Sequence, residues 1–252
     1  MLKLTGINKI FNKGTVNEKQ VLFDINLTLN DGDFVTVIGG NGAGKSTIQN
    51  IITGTFFPDS GKVEINGKDI TNLPEYKRAK YIGRVFQDPM LGTAAGLWLE
   101  ENMALAYSRG EKRSLFKWMT DKDKIDLFEK ELSKLGLGLE NRLRTRVKYL
   151  SGGQRQAITL LMATMKKPEL LMLDEHTAAL DPKTSKLVLD LTNEIVTKDN
   201  ITTLMVTHNM KDALTYGNRL IMMEQGKIIF DVRGEEKKKM TVDDLLSKFD
   251  VF

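Results

Sequence analysis

The chain has 252 residues, 41% of them hydrophobic, a formal net charge of +4 and no cysteine. That is apolar material for one globular unit with a sizeable core. The missing thiols exclude a disulfide framework and thiolate chemistry, as fits a cytosolic protein. The start, where apolar residues mix with lysines, does not read as a signal peptide. Apolar runs such as Leu170–Leu173 and Ile221–Met223 fall far short of the roughly 20 residues a membrane span needs, so a membrane role has to come through a partner. Of two basic clusters, Arg142, Arg144, Arg146 and Lys148 read as a solvated face, and Lys237–Lys239 after Glu235 and Glu236 as a charged surface turn. Neither has the interleaved aromatics or reading helix of a nucleic-acid site, so no nucleic-acid partner is expected.

In chain order, Leu2–Ile10 and Val21–Leu29 nearly alternate apolar positions, the pattern of half-buried strands, with Asp31-Gly32-Asp33 as a turn. Phe34–Ile38 is short, β-branched and almost wholly apolar, which predicts a strand buried on both faces. A glycine-rich loop and a helix from Lys45 to about Thr53 follow, then a hairpin over Gly61–Ile70 turning at Asn66-Gly67. From Phe86 to about Leu150 strand signals thin out, and amphipathic helices are predicted over Trp98–Tyr107 and Lys122–Leu135. The basic and aromatic stretch 108–120 between them has no assigned role. Beyond it the pattern predicts a helix over Gly152–Met165 and a buried strand at Leu170–Leu173. A helix over Thr184–Val196, a buried strand at Thr202–Val206 and a strand pair at Arg219–Met223 and Lys227–Asp231 complete the order. Strands alternating with helices point to a mainly parallel sheet covered on both faces.

Three segments carry chemistry. Gly39-Gly40-Asn41-Gly42-Ala43-Gly44-Lys45-Ser46-Thr47 fits the phosphate-loop pattern and stands where the mechanism requires, after a buried strand and opening a helix. Small residues let successive N–H groups turn inward around phosphate oxygens, and the helix adds its positive end. Lys45 is placed to reach the β- and γ-phosphates of ATP, and the Ser46 hydroxyl to meet Mg²⁺. In Leu170-Leu171-Met172-Leu173-Asp174-Glu175 an apolar run ends in two carboxylates at a strand's C-terminal tip, where open α/β sheets bind ligands. Asp174 is the candidate for the Mg²⁺ shell and Glu175 for polarising the attacking water. The third segment is Leu150-Ser151-Gly152-Gly153-Gln154-Arg155-Gln156, shortly upstream of that strand and opening a helix.

This third segment matches the ABC signature residue for residue, and the chain resembles ABC transporter ATPases over essentially its whole length. The resemblance implies a P-loop NTPase core, a mainly parallel sheet with helices on both faces, joined by an N-terminal antiparallel β subdomain and an inserted helical subdomain. It divides a single domain, 1–252, into a core at 1–86 and 157–252 and a helical, signature-bearing part at 87–156. It also implies that Ser151, Gly152, Gly153 and Gln154 cap the γ-phosphate bound by a second ATPase chain. Gln87, after Val85-Phe86, resembles the Q-loop glutamine that senses Mg²⁺ and the attacking water. Asp181, in Ala179-Leu180-Asp181, resembles the D-loop residue at the dimer interface, and His208 the switch histidine that contacts the γ-phosphate. Phe11 stands where the family places an aromatic against adenine, although an isolated strand-end Phe is more often ordinary core.

Gly40 departs from the family's frequent proline, which should loosen the loop without removing a ligand. His176 follows Glu175 where proline or alanine is usual, and packing explains it better than tuning of Glu175. The implied machine is a head-to-tail pair, with a homodimer the simpler expectation, glued by two ATPs beneath separate permease subunits on the cytoplasmic side of the membrane. Met90, Leu91, Leu97 and Trp98 are the candidates for the permease contact. Soluble repair and translation ATPases of the class carry long coiled coils or two ATPase units, and this chain has neither. An exporter or lipoprotein-extracting ATPase is the competing transport reading. The stretches Phe86–Ala94 and Asp174–Pro182 are similar to a bacterial importer subgroup served by an amino-acid-type binding protein, with aromatic amino acids as the cargo.

Overall fold

The structure, a computed structural model, describes residues 1–111 and 122–249. The stretch singled out at 108–120 therefore lies mostly outside the described residues. Alternating burial along β1 (Leu2–Phe11) and β2 (Lys19–Leu29) makes them an antiparallel pair with one face inward. After the turn, β3 (Phe34–Gly39) is buried almost throughout, as its apolar run predicts. Next come α1 (Lys45–Thr53), β4 (Ser60–Ile65) and β5 (Lys68–Asp69), the last two joined at Asn66 and Gly67, both with positive φ. Two elements that carry no periodic signal follow, the one-turn helix α2 (Glu75–Arg78) and β6 (Ile82–Val85).

The helical part holds α3 (Leu99–Tyr107) and α4 (Lys122–Ser133), and α5 (Gly152–Thr164) leads back from it into the sheet. The remainder runs β7 (Leu170–Asp174), α6 (Pro182–Lys198), β8 (Thr203–Val206), α7 (Met210–Thr215), β9 (Arg219–Glu224) and β10 (Lys227–Arg233). It closes with α8 (Gly234–Lys239) and α9 (Val242–Phe249). Arg142, Arg144, Arg146 and Lys148 are exposed, as the solvated-face reading requires. The surface-turn reading of Lys237–Lys239 is corrected: the three lysines end α8, and Lys237 is buried. Its ammonium donates to the carbonyl oxygens of Tyr216 and Gly217, which is what permits a charged head to be enclosed.

The strands form two sheets, in the orders β2-β1-β4-β5 and β10-β9-β3-β8-β7-β6. In the larger, neighbours from β9 to β6 run parallel and only β10 is antiparallel. Side-chain alternation along β7 divides the core: Leu170 and Met172 join the small sheet and α1, while Leu171 and Leu173 meet α5 and α6. A separate apolar cluster of Leu99, Met103, Phe128, Leu132, Ile158 and Leu161 fills the helical part, with α5 contributing to both. Among the described residues no helix is long and apolar enough to cross a membrane.

Candidate active site

The site is assembled by register. Val37 lies level with Val206, Val206 with Asp174, and Leu173 with Val85. The segments that follow β3, β6, β7 and β8 therefore leave the sheet along one edge, its C-terminal one. The phosphate loop leaves from β3, Gln87 from beyond β6, Glu175 from β7 and His208 from β8.

The loop's glycines are fixed by what surrounds them. Gly44, the residue before α1, has φ 98° and is pressed on β2, so that a Cβ there would lie 2.7 Å from Leu22 Cδ2. A Cβ on Gly39 would lie 2.2 Å from the Met223 carbonyl oxygen. Gly40 differs: open space surrounds its Cβ position. The Lys45 Nζ donates to the carbonyls of Gly39 at 2.7 Å and Gly40 at 3.0 Å, holding its charge within the loop. Burial lowers its pKa from the ordinary lysine value, while the Glu175 and Asp174 carboxylates oppose that shift. Asn41, Gly42 and Ser46 are exposed, Thr47 is half-buried and Ala43 is buried.

Burial raises the pKa of Asp174 above the usual carboxylate range, with Arg84 pulling it back and Glu175 pushing the same way as burial. Glu175 has φ 43°, a left-handed conformation rare for a non-glycine residue and characteristic of functional sites. Its N–H bonds the Val206 carbonyl at 3.0 Å, which holds the kink, and its Oε2 lies 3.3 Å from His208 Nδ1. A carboxylate and an imidazole in contact, beside a phosphate loop with a buried lysine, can orient and deprotonate a water.

The signature forms a different end. Ser151 caps α5, its hydroxyl accepting from the Gln154 N–H at 3.2 Å while the Gln154 side chain accepts from the Ser151 N–H at 3.1 Å. A Cβ on Gly153 would lie 2.2 Å from Thr184 Cγ2, and one on Gly152 3.4 Å from Leu180 Cδ2, so the glycines let α5 approach α6 and the turn before it. Asp181 caps α6 through the Thr184 N–H at 3.1 Å.

A family model described as ABC transporter matches residues 22–178, more than half of the chain. The chain belongs to the ABC transporter family. It is an ATPase of the transport class. It is 45% identical over 250 residues to a tyrosine transport ATP-binding protein of Clostridioides difficile, covering 99% of each chain. To a phosphonates import ATP-binding protein of Lactococcus lactis it is 33% identical, with 98% of this chain and 99% of that one covered. Among solved structures it superposes with a TM-score of 0.82 on an ABC transporter cassette in its ADP conformation, at 28% identity over 99% of this chain and 98% of that one. A dimeric cassette in a post-hydrolysis state with ADP and phosphate gives 0.78 at 27% identity, covering 92% and 98%.

In this cassette the fold thus brings Lys45, Asp174, Glu175, Gln87 and His208 to one sheet edge, while Ser151–Gln154 and Asp181 sit together elsewhere. Phe11 is half-buried at the end of β1, edge-on to Phe56 with ring centroids 5.3 Å apart. It pairs with Lys19, two residues before the Val21 carbonyl that backs Gly44. His176 is buried with Nε2 3.2 Å from Thr192 Oγ1 on α6, as its packing reading requires. Two arginines had no signal in the motifs: Arg84 beside Asp174, and Arg78 under the far end of α1. Hydroxyl and carboxylate oxygens are hard donors suited to Mg²⁺, which takes only one or two carboxylates and leaves its other positions to phosphate and water, so Ser46 with Asp174 is a fitting set.

Proposed function

We propose that this cassette is the ATP-hydrolysing half of an importer. It binds Mg-ATP at a head-to-tail dimer interface and acts on separate permease subunits from the cytoplasmic side of the membrane. The contact of Glu175 with His208, at the edge that carries the phosphate loop, supports hydrolysis above mere binding. Lys45 and the loop's N–H groups would hold the β- and γ-phosphates, Ser46 and Asp174, with Gln87, would hold Mg²⁺, and Phe11 would meet the adenine. Mg²⁺ supplies charge neutralisation at the phosphates. Glu175 takes the water's proton, with Gln87 and His208 orienting the water and the γ-phosphate. Ser151, Gly152, Gly153 and Gln154 of a second copy cap the same phosphate, with Asp181 across the interface. Binding thus closes the pair, and loss of the bridging phosphate opens it.

We assign residues 1–86 and 157–252 to the catalytic core and 87–156 to the part that meets the permease. A groove of about 290 Å³ at the seam of the two parts, lined by Ala79, Arg84 and Thr159 on one side and Gly92, Asn102 and Leu105 on the other, supports a permease contact at that seam. So does the exposure of Met90, Leu91, Leu97 and Trp98. The cargo we propose is an aromatic amino acid delivered by a substrate-binding protein, on the strength of the full-length similarity to a tyrosine transport ATP-binding protein.

The test is Glu175→Gln, followed by size-exclusion chromatography with and without Mg-ATP. The variant should keep nucleotide, lose turnover and shift from monomer to dimer. A variant that stays monomeric and hydrolyses ATP at the wild-type rate would overturn both the shared site and the role of Glu175.

A further inference from the structure

Arg84, on β6, carries no motif and is mostly buried. Its Nη2 lies 3.8 Å from Asp174 Oδ2, beyond hydrogen-bond reach but within ion-pair distance. Among the described residues this is the only ion pair Asp174 makes within that range. The guanidinium is held from three other sides. Nη2 donates to Asn50 Oδ1 at 3.0 Å and Nη1 to Thr53 Oγ1 at 3.4 Å, both on α1. The guanidinium Cζ lies 4.5 Å from the Phe86 ring centroid, and Nη1 is 3.9 Å from Glu75 Oε1. A cation gripped this way is a fixed charge, and arginine's planar fork suits simultaneous hydrogen bonding and ring contact.

We propose that Arg84 is a positioning residue for the nucleotide site. It holds the Asp174 carboxylate turned toward the Mg²⁺ shell and ties that orientation to α1 and to β6, the strand that ends two residues before Gln87. This rests on the reading of Asp174, with Ser46 and Gln87, as a metal-binding residue. Without Arg84, Asp174 has the Glu175 carboxylate beside it and no cation in ion-pair contact to set its direction. Partners that orient a metal ligand typically matter 10–100-fold to metal affinity. The same charge could instead simply repel Mg²⁺, and the two roles predict opposite signs.

The experiment is binding of a fluorescent ATP analogue to the purified chain, titrated with Mg²⁺ and repeated in EDTA. Wild type, Arg84→Met, Arg84→Lys and Asn50→Ala are compared. Positioning predicts that Arg84→Met raises the Mg²⁺ concentration for half-maximal tightening by about tenfold and leaves binding in EDTA unchanged. Arg84→Lys should recover part of the loss. Asn50→Ala, which frees one hold on the guanidinium, should shift the same quantity in the same direction by less, and it carries the test if the methionine variant does not fold. An unchanged or lowered half-saturation in the variants overturns the proposal, the lowered one showing that Arg84 competes with the metal. Wild-type binding that ignores Mg²⁺ would overturn the metal assignment itself, and this role with it.

Discussion

Removing Arg78 should loosen the fold at the end of the phosphate-loop helix. Its side chain is fully buried and, among the described residues, donates only to main-chain oxygens. Nε bonds Leu73 at 2.7 Å, Nη1 bonds Ile51 at 2.7 Å and Ile52 at 2.8 Å, and Nη2 bonds Thr71 at 2.7 Å. Ile51 and Ile52 lie in the last turn of α1, where carbonyls have no intrahelical partner. The guanidinium therefore closes the helix that begins at Lys45 and sits at the negative end of its dipole. Burial lowers its pKa to about 10, so it remains charged at neutral pH.

Arg78→Met keeps much of the apolar volume and removes every donor. A buried carbonyl left unpaired costs about 1–3 kcal/mol, and four at the lower end of that range give about 4 kcal/mol. Water entering the freed space will satisfy some of them, so about 2–4 kcal/mol is the expected loss. That is a large share of the ~5–15 kcal/mol by which domains are stable. Urea denaturation should show a lower midpoint with an unchanged slope. Arg78→Lys, with three donors on a compact head, should recover part of the difference. A loss below about 1 kcal/mol for the methionine variant, with the slope unchanged, would refute the view that these bonds close α1.

Burial lowers the His176 pKa to about 4. The folded chain thus refuses a proton that the unfolded chain takes near pH 6.5, so stability should fall as pH drops from about 6.5 to 4, by about 3 kcal/mol in all. His176→Ala, weaker at pH 7 through its cavity, should flatten that slope, and parallel urea midpoints for both proteins across the window would count against it. Gly40→Ala meets open space and should stabilise the fold by about 0.4–1 kcal/mol with ATP turnover retained. Gly153→Ala, driven into Thr184, should cost about 1–3 kcal/mol and abolish ATP-driven dimerisation; melting curves and turnover of the pair check both. Trp98→Ala should lower permease-stimulated ATP turnover in reconstituted vesicles while leaving ATP binding alone, and unchanged stimulation would remove the permease contact from this surface.

What the sequence exposed was the part of the molecule in which local chemistry dictates residue type. A loop that wraps phosphate needs glycines, and a strand buried on both faces needs an unbroken apolar run, so β3, β7 and β8 and the segments leaving them could be read directly. A helix as short as α2 contains too little of a period to be seen. The burial of Lys237 gives no sequence signal for a related reason: a lysine after two glutamates looks solvated, and only the fold brings the Tyr216 and Gly217 carbonyls to it.

The two arginines that escaped the motifs show what such a reading loses. Arg78 ends α2 and Arg84 lies on β6, yet both reach α1, one bonding the carbonyls of its last turn and the other the side chains of Asn50 and Thr53. The helix that opens on the phosphate loop is thus gripped at its far end by cations from the segment that leads to Gln87. A partner pulling on residues 87–98 would load that segment, and the strain would pass through fixed hydrogen bonds into α1 and, through Arg84, onto Asp174. Such a route predicts that Arg84→Met weakens the response of ATP turnover to the permease more than Arg84→Lys does. Equal responses from the two variants would mean that the grip is structural support for α1 alone.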